Sequence, residues 1–187
     1  GCGELGIKYL TLYAFSTENW GRPKEEVDGL MELLVNTLKK EINTLHENQV
    51  KLHTIGDVSH LPKDCQNNLA EAIASTQHNS GLILQLALNY SGRWEIVEAA
   101  KKLAEEAKAG RLKPDEIDEQ YFAAHLKTAS VPDPELLIRT SGELRVSNFL
   151  LWQISYAEFV ITQTLWPDFR KPQLYAALEE YAKRHRR

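Results

Sequence analysis

Short apolar segments alternate with amphipathic segments along this chain of 187 residues. Apolar or β-branched runs predict strands at 7–15, 50–55, 82–88, 136–138 and 159–162. Amphipathic runs predict helices at 24–47, about 62–79, 93–108, 115–126, 149–156 and 171–187. This alternation favours a mostly parallel sheet flanked by helices on both faces and joined by right-handed crossovers. We therefore expect an α/β fold, with residues 1–187 forming a single domain.

The first predicted strand and the helix after it carry the clearest patterns. Ile7–Phe15 has few polar interruptions, which is typical of a strand buried on both faces. Lys24–Glu47 carries one long apolar stripe at helical spacing, and the proline and acidic residues at its start suit a helix N-terminus. The stripe consists of Val27, Leu30, Met31, Leu34, Leu38, Ile42 and Leu45.

Composition excludes several classes of protein. A net charge of −4 gives no field that would gather nucleic acid, so we expect no nucleic-acid partner. No apolar run reaches the roughly 18 residues that a membrane span needs, and we expect no signal peptide ahead of the first strand. Cys2 and Cys65 lie far apart without ligand-type neighbours, as expected of reduced thiols in the cytoplasm.

A polar loop follows the first strand, where parallel α/β folds bind their ligands. Ser16-Thr-Glu-Asn-Trp-Gly-Arg-Pro23 places a hydroxyl, an amide, an indole and a guanidinium together. One interpretation is an active-site loop. The other is a helix-capping loop, with Ser16 or Asn19 as the cap and Trp20 filling the core.

A second polar loop follows the strand at 136–138. Arg139 and Arg145 flank a Ser-Gly turn that leads to Ser147. Arginine suits phosphate oxygens, and a turn that exposes backbone N–H groups adds affinity for anions. The sequence leaves open whether this is a diphosphate site or a surface loop whose arginines pair with Glu143 or Glu135.

Glu158 is an acidic residue among aromatics at the start of a predicted strand. A carboxylate there needs an arginine, a hydroxyl or a metal as its partner, and we expect that partner at the ligand-binding edge. The six histidines are scattered and are expected to be solvated. Neither a phosphate-binding P-loop nor a Gly-x-Ser-x-Gly elbow occurs.

Four segments, in order, resemble the undecaprenyl diphosphate synthase family of cis-prenyltransferases. They are Leu12–Pro23, the Asn89-Tyr-Ser-Gly-Arg-Trp94 run, Ile138–Gln153, and the stretch from Tyr156-Ala-Glu158 to Trp166-Pro-Asp-Phe169. Ser91 replaces the first glycine of the family's Asn-Tyr-Gly-Gly-Arg segment. It can still form the turn unless a positive φ is required.

The resemblance implies that isopentenyl diphosphate is condensed onto farnesyl diphosphate, with Mg²⁺, to give a long-chain polyprenyl carrier for cell-wall synthesis. Asn19 would then assist proton removal, and Glu158 would contribute to the magnesium site. Trp20 and Arg22 would belong to a mobile loop that closes over the substrates. The implied substrate-binding residues are Ser16, Thr17, Glu18, Trp20, Arg22, Arg139, Arg145, Val146 and Ser147.

The resemblance also implies a homodimer, for which residues 149–169 could supply the interface. The stripe of Lys24–Glu47 could line a tunnel for the growing chain, could simply be core, or could do both. The basic segment Lys183–Arg187 could touch anionic lipid at the inner face of the membrane, or it could be a solvated helix end.

One family feature is missing. Family members begin with a strand and a Met-Asp-Gly-Asn-Gly-Arg-Trp-like loop whose aspartate binds magnesium, and no such loop occurs in these residues. We therefore expect the family's first strand and helix to be absent from an N-terminally truncated chain, with little or no turnover by these residues alone. Two alternatives are a non-catalytic accessory subunit of a cis-prenyltransferase complex and an unrelated phosphate-binding α/β protein.

Overall fold

The computed structural model describes residues 1–184, which fold into parallel strands and helices. The strands are β1 (Tyr9–Ser16), β2 (Lys51–Ile55), β3 (Ile83–Tyr90), β4 (Leu136–Arg139) and β5 (Glu158–Ile161). The helices are α1 (Lys24–Glu47), α2 (Lys63–Thr76), α3 (Gly92–Lys108), α4 (Glu119–Ala123) and α5 (Lys171–Ala182). Short 3₁₀ turns lie at Gly3–Leu5, Thr17–Gly21, Val58–His60, Pro114–Glu116 and Trp166–Asp168.

One compact unit spans Cys2–Glu95 and contains a three-stranded parallel sheet in the order β1-β3-β2. The central strand, β3, is the most buried: Ala87, Leu88 and Tyr90 are each at most 1% exposed. β1 lies at an edge of this sheet, and within it only Phe15 is fully buried. The prediction that the first strand is buried on both faces is therefore wrong, because Tyr9 and Ala14 are exposed and its other residues except Phe15 are only partly buried.

The apolar stripe of α1 lies in the core of this unit. Val27, Met31 and Leu38 are buried, and they belong to one cluster with Leu52 of β2 and Leu69 of α2. The other residues of the stripe, Leu30, Leu34, Ile42 and Leu45, pack against the cluster and are partly buried. These contacts show that the stripe is part of the core, and its role in lining a tunnel stays a prediction.

The second unit consists of Gly1 and the chain from Ile96 on. Its two strands, β4 and β5, run parallel, with Leu137 paired to Phe159 and Arg139 paired to Ile161. The helix predicted at 149–156 is replaced by turns. Ser147, Asn148 and Leu150 have φ between 46° and 61°, a left-handed conformation that a right-handed helix does not contain.

Most of the predicted elements are confirmed, including the bounds of α1 and the α/β class with parallel strands. The helix predicted at 115–126 is shorter, because Asp118 accepts a hydrogen bond from the Tyr121 N–H and starts α4 there. The terminal helix ends at Ala182, and residues 185–187 of the basic segment lie outside the described residues. The single domain remains a prediction. Within residues 1–184, none of the helices has the length and apolar character needed to cross a membrane.

Candidate active site

Three loops meet at the carboxyl edge of the three-stranded sheet. Ser16, the last residue of β1, lies beside Tyr90, the last residue of β3. Ile55 ends β2 beside Ala87, and the backbone of Asp57 donates a hydrogen bond to the carbonyl of Asn89 (3.2 Å). Parallel strands expose their carboxyl ends together, so this edge gathers the loops after β1, β2 and β3, of which the loop after β1 was predicted to bind a ligand.

The loop after β1 forms a 3₁₀ turn over Thr17–Gly21. The Oδ1 atom of Asn19 accepts a hydrogen bond from the Ser16 N–H (2.8 Å), and the Thr17 hydroxyl donates to the Glu18 carboxylate (3.2 Å). Asn19 therefore has the capping role that one interpretation of the sequence gave it. Its role in proton removal stays a prediction.

Trp20 is held in place by two contacts. Its Nε1–H donates to Oδ1 of Asn89 (2.8 Å), and its ring meets Phe15 edge-on with a centroid distance of 5.0 Å. The side chain nevertheless remains 40% exposed, so Trp20 covers the core rather than filling it. Arg22, two residues further on, forms a loose ion pair with Glu26 (3.8 Å) on the surface.

Asn89 is a residue of this edge that the sequence analysis did not select. It is 7% exposed and has a φ of 47°, a left-handed conformation that asparagine adopts more readily than most residues. Its Nδ2 donates to the carbonyl of Asp57 (2.8 Å). Two sequence signals point to it: Asn89 is an asparagine at the end of a buried strand, and it is the first residue of the family-like run Asn89–Trp94. Ser91, by contrast, is not among the described residues with positive φ, so it fits the turn.

Two tyrosines lie behind the edge. The Tyr13 hydroxyl donates to the Tyr90 carbonyl (3.2 Å), and the Tyr90 hydroxyl donates to the buried Glu95 carboxyl group (2.5 Å). Burial raises the pKa of Tyr13 to about 12, helped by the nearby Glu18 charge and opposed by a hydrogen bond with Ser16. At neutral pH, Tyr13 is therefore a hydrogen-bond donor.

The histidines are not all solvated, contrary to the prediction. The side chain of His125 is only 17% exposed, and its Nε2 lies 3.3 Å from the Glu106 carboxylate. The Tyr121 hydroxyl donates to the same carboxylate (3.1 Å). These contacts lower the pKa of Glu106, and the hydrogen bond with His125 has the largest effect. The cluster ties α3 to the segment around α4.

In the second unit, Arg139 ends β4 and reaches towards Ser147. Its Nη2 lies 3.5 Å from the Ser147 hydroxyl, at the limit of a hydrogen bond. Its Nε atom is buried and has no hydrogen-bond partner within residues 1–184. A buried donor without a partner is costly, so this guanidinium is suited to an anionic ligand.

The Ser-Gly turn contributes less to anion binding than the sequence suggested. The N–H groups of Ser141 and Gly142 donate to the carbonyls of Thr164 and Thr162, each at 2.9 Å. The expectation that this turn exposes its N–H groups is wrong for these two residues, because they extend the pairing between β4 and β5. Both residues have φ near 65°, so the turn is left-handed.

Arg145 is paired within its own loop. Its guanidinium contacts the Glu143 carboxylate while its side chain remains 69% exposed. This ion pair is the one expected if the segment is a surface loop. That interpretation therefore holds for Arg145 but not for Arg139. Val146 is partly buried and Ser147 is exposed. The structure thus brings Arg139 to Ser147, whereas Arg145 contacts an acidic neighbour.

Glu158 begins β5, as predicted, and its carboxylate accepts a hydrogen bond from Arg184 (2.7 Å). It pairs in register with Leu136, the first residue of β4, whereas Arg139 pairs with Ile161 at the other end. The expectation that Glu158 lies at the carboxyl edge is therefore wrong for β4 and β5. Of the partners expected for its carboxylate, the structure shows an arginine.

A magnesium ion held by protein side chains alone does not fit the described residues. No group of three or more His, Cys, Asp or Glu side chains within 1–184 is arranged to hold a metal. Glu158, the predicted ligand, already contacts Arg184. Mg²⁺ is often bound by one or two carboxylates together with water and substrate phosphates. A role for Glu158 of that kind remains a prediction.

Comparisons with known proteins agree along the whole chain. The family described as "Putative undecaprenyl diphosphate synthase" matches residues 1–187. An isoprenyl transferase from Clostridium tetani is 52% identical over 186 residues, which are 100% of this chain and 73% of the relative. The farnesyl-diphosphate-specific ditrans,polycis-undecaprenyl-diphosphate synthase of Micrococcus luteus is 52% identical over 184 residues, 98% of this chain and 74% of the relative.

A solved structure is also similar. Lavandulyl diphosphate synthase from Lavandula x intermedia, crystallised with dimethylallyl diphosphate, has a TM-score of 0.96 and 42% identity. The alignment covers 99% of this chain and 80% of that protein. This chain therefore belongs to the undecaprenyl diphosphate synthase family of isoprenyl transferases.

Proposed function

We propose that the complete gene product is a cis-prenyltransferase that condenses isopentenyl diphosphate onto farnesyl diphosphate and extends the product into a long-chain polyprenyl diphosphate. The observation that carries this proposal is the Arg139 guanidinium, with its buried Nε unpartnered among the described residues and Ser147 beside it. The relative from Micrococcus luteus supports farnesyl diphosphate as the allylic substrate. A carrier lipid for cell-wall synthesis is the role we propose for the product.

In this reaction one C–O bond breaks, one C–C bond forms and one proton is lost. The C–O bond of the allylic diphosphate breaks, and the diphosphate leaves with the electron pair. The terminal alkene carbon of isopentenyl diphosphate bonds to the allylic carbon, and a proton is then lost to give the new cis double bond. Cationic groups that face a developing diphosphate charge stabilise such a transition state.

We assign the diphosphate of isopentenyl diphosphate to Arg139, Arg145 and Ser147, with Val146 beside them. A planar guanidinium can donate two parallel hydrogen bonds to phosphate oxygens, and the Ser147 hydroxyl can add a third. Arg145 would have to exchange its contact with Glu143 for one with phosphate. Because the Arg145 side chain is 69% exposed, water can solvate its charge when this contact breaks, and the cost is small.

We assign the reacting carbons to the turn after β1, with Ser16 and Asn19 nearest and Thr17, Glu18, Trp20 and Arg22 as further substrate contacts. Asn19 is the proposed participant in proton removal. Its Oδ1 now caps the turn, so that role requires either the released diphosphate as the base or a change in this cap.

Mg²⁺ remains our proposed cofactor, with Glu158 as one ligand and diphosphate and water oxygens as the others. When bound, it would neutralise diphosphate charge. None of the residue roles above depends on it. We also propose that the polypeptide of residues 1–187 alone has little turnover, because it contains no Met-Asp-Gly-Asn-Gly-Arg-Trp-like loop.

A homodimer is our proposal for the assembly. Tyr156 is 98% exposed, and Leu165 and Trp166 are each more than half exposed; all three lie within the segment 149–169. Large exposed apolar side chains are typical of interfaces when they form one patch, and sedimentation of the complete gene product tests whether these residues do so. A cytoplasmic location with peripheral contact to anionic lipid is proposed from the nature of the product, and vesicle co-sedimentation tests it.

The test of function uses labelled isopentenyl diphosphate with farnesyl diphosphate and Mg²⁺. We expect incorporation by the complete gene product, and a decrease of about 10- to 100-fold in kcat/KM for Arg139→Met, from loss of charge-assisted hydrogen bonds. The matched control is Arg111→Met, in a different part of the same unit, which should retain activity. No incorporation by the wild-type protein alone would favour the accessory-subunit alternative.

A further inference from the structure

Asn89 uses both ends of its carboxamide to join two loops at the carboxyl edge of the three-stranded sheet. Oδ1 accepts the indole N–H of Trp20, and Nδ2 donates to the Asp57 carbonyl, each at 2.8 Å. The backbone carbonyl of Asn89 also accepts the Asp57 N–H at 3.2 Å. The side chain is nearly buried, so both hydrogen bonds are shielded from water.

The chemistry of the two partners fixes the orientation of the amide. An indole N–H can only donate, and a backbone carbonyl can only accept. Asn89 must therefore present its oxygen to Trp20 and its nitrogen to Asp57. A carboxylate could serve Trp20 but not Asp57, and an apolar side chain could serve neither.

The loop that Asn89 holds on one side carries the proposed reacting residues. Trp20 lies in the 3₁₀ turn Thr17–Gly21, and Asn19 in the same turn bonds back to Ser16. The turn is thus fixed internally by its cap and externally by the indole of Trp20. On the other side, Asp57 caps the turn Val58–His60 by accepting from the Ser59 N–H (3.1 Å).

We propose that Asn89 is a positioning residue, which places the Ser16–Gly21 turn through Trp20 and anchors that position to the Gly56–Asp57 loop. It does not touch the reacting atoms. Its effect on turnover rests on the prenyl transfer proposed above, whereas its effect on Trp20 does not. The two can therefore be tested separately.

The first measurement follows the indole N–H of Trp20 by ¹H–¹⁵N NMR in the complete gene product, with the resonance identified from its loss in Trp20→Phe. Asn89→Gly removes the side chain but tolerates the left-handed backbone. We expect the resonance to move towards that of a solvent-exposed indole and to exchange faster with water. Asn89→Asp keeps an acceptor for Trp20, so its resonance should stay near the wild-type position. An unchanged resonance in Asn89→Gly would overturn the proposal.

The second measurement is a double-mutant cycle on kcat and KM. We expect Asn89→Gly and Trp20→Phe each to lower kcat/KM by about 3- to 10-fold or more, because each breaks the hydrogen bond between Trp20 and Asn89. The loss in the double variant should be smaller than the product of the two single losses, because both changes break this shared contact. The proposal would be refuted if the two losses in kcat/KM simply multiplied in the double variant. It would also be refuted if the variants had a lower melting temperature but unchanged KM and kcat, which would show a merely structural role. If the wild-type protein shows no prenyl transfer, the proposed function fails, while the indole measurement still decides whether Asn89 holds Trp20.

Discussion

Replacing Gly56 with alanine should damage the carboxyl edge of the three-stranded sheet more than any ordinary glycine substitution. Gly56 has a φ of +112°, which side-chain-bearing residues rarely adopt. A Cβ atom placed there would lie 2.0 Å from the Leu88 carbonyl oxygen and 3.1 Å from the Asn89 carbonyl oxygen. Both atoms belong to the backbone of the central strand, so neither can move aside as a flexible side chain would.

The expected cost has two parts. Strained backbone at this φ costs about 1–3 kcal/mol, and relieving an overpacked contact costs a further 1–3 kcal/mol or so. A total of about 2–6 kcal/mol would lower the melting temperature by roughly 4–24 °C in a protein of this size. Because Gly56 precedes Asp57, the shift should also disturb the loop that Asn89 anchors.

Two other glycines separate these contributions. Gly110→Ala has a positive φ (+71°) but nothing within 4 Å, so we expect only the backbone term, about 1–2 kcal/mol. Gly29→Ala lies in the exposed interior of α1 with open space around it and should be stabilising by about 0.5–1 kcal/mol. Thermal and urea unfolding of the three variants in the complete gene product provides the comparison. If Gly56→Ala melts within 2 °C or so of Gly110→Ala, the close approach of β2 to β3 is not as described.

Three further predictions concern hydrogen-bonded side chains. Tyr90→Phe should lower the free energy of unfolding by about 1.5–3 kcal/mol, because it removes a hydrogen bond to the buried Glu95 carboxyl group; an unchanged urea midpoint would contradict this. In an ultraviolet titration, the tyrosinate signal lost in Tyr13→Phe should have a midpoint near pH 12; a midpoint near pH 10 would show that burial does not raise this pKa. The contacts of Glu106 with His125 and Tyr121 lower the pKa of the Glu106 carboxyl group. These contacts therefore stabilise the fold fully above the ordinary carboxyl pKa, and this stabilisation is lost as the pH falls below that value. The urea midpoints of wild type and His125→Gln should therefore converge between about pH 5 and pH 3, and a constant gap would argue against the pair.

Local patterns predicted the regular elements well. The bounds of α1 follow from a proline, an acidic first turn and an apolar stripe, all of which act within a few residues. The segment 149–156 was mispredicted because its apolar composition suits a helix, whereas Ser147, Asn148 and Leu150 adopt left-handed conformations. No local propensity would suggest a left-handed leucine.

In the candidate site, too, features that depend on neighbouring residues could be predicted, whereas contacts between distant residues could not. Arg139 and Ser147 could be found from sequence, since Arg139 ends a strand and Ser147 lies in the loop that follows it. The contact between Trp20 and Asn89 joins residues 69 positions apart, and only the pairing of β1 with β3 brings them together. The edge position of β1 could not be predicted from the sequence either, because strand order is a property of the whole sheet.

The geometry of the product tests the central claim most directly. The complete gene product would be incubated with farnesyl diphosphate, ¹³C-labelled isopentenyl diphosphate and Mg²⁺, and the extracted polyprenyl product examined by NMR. The account predicts chain extension in which every newly formed double bond is cis. A product whose new double bonds are trans, or the absence of any extension, would contradict it.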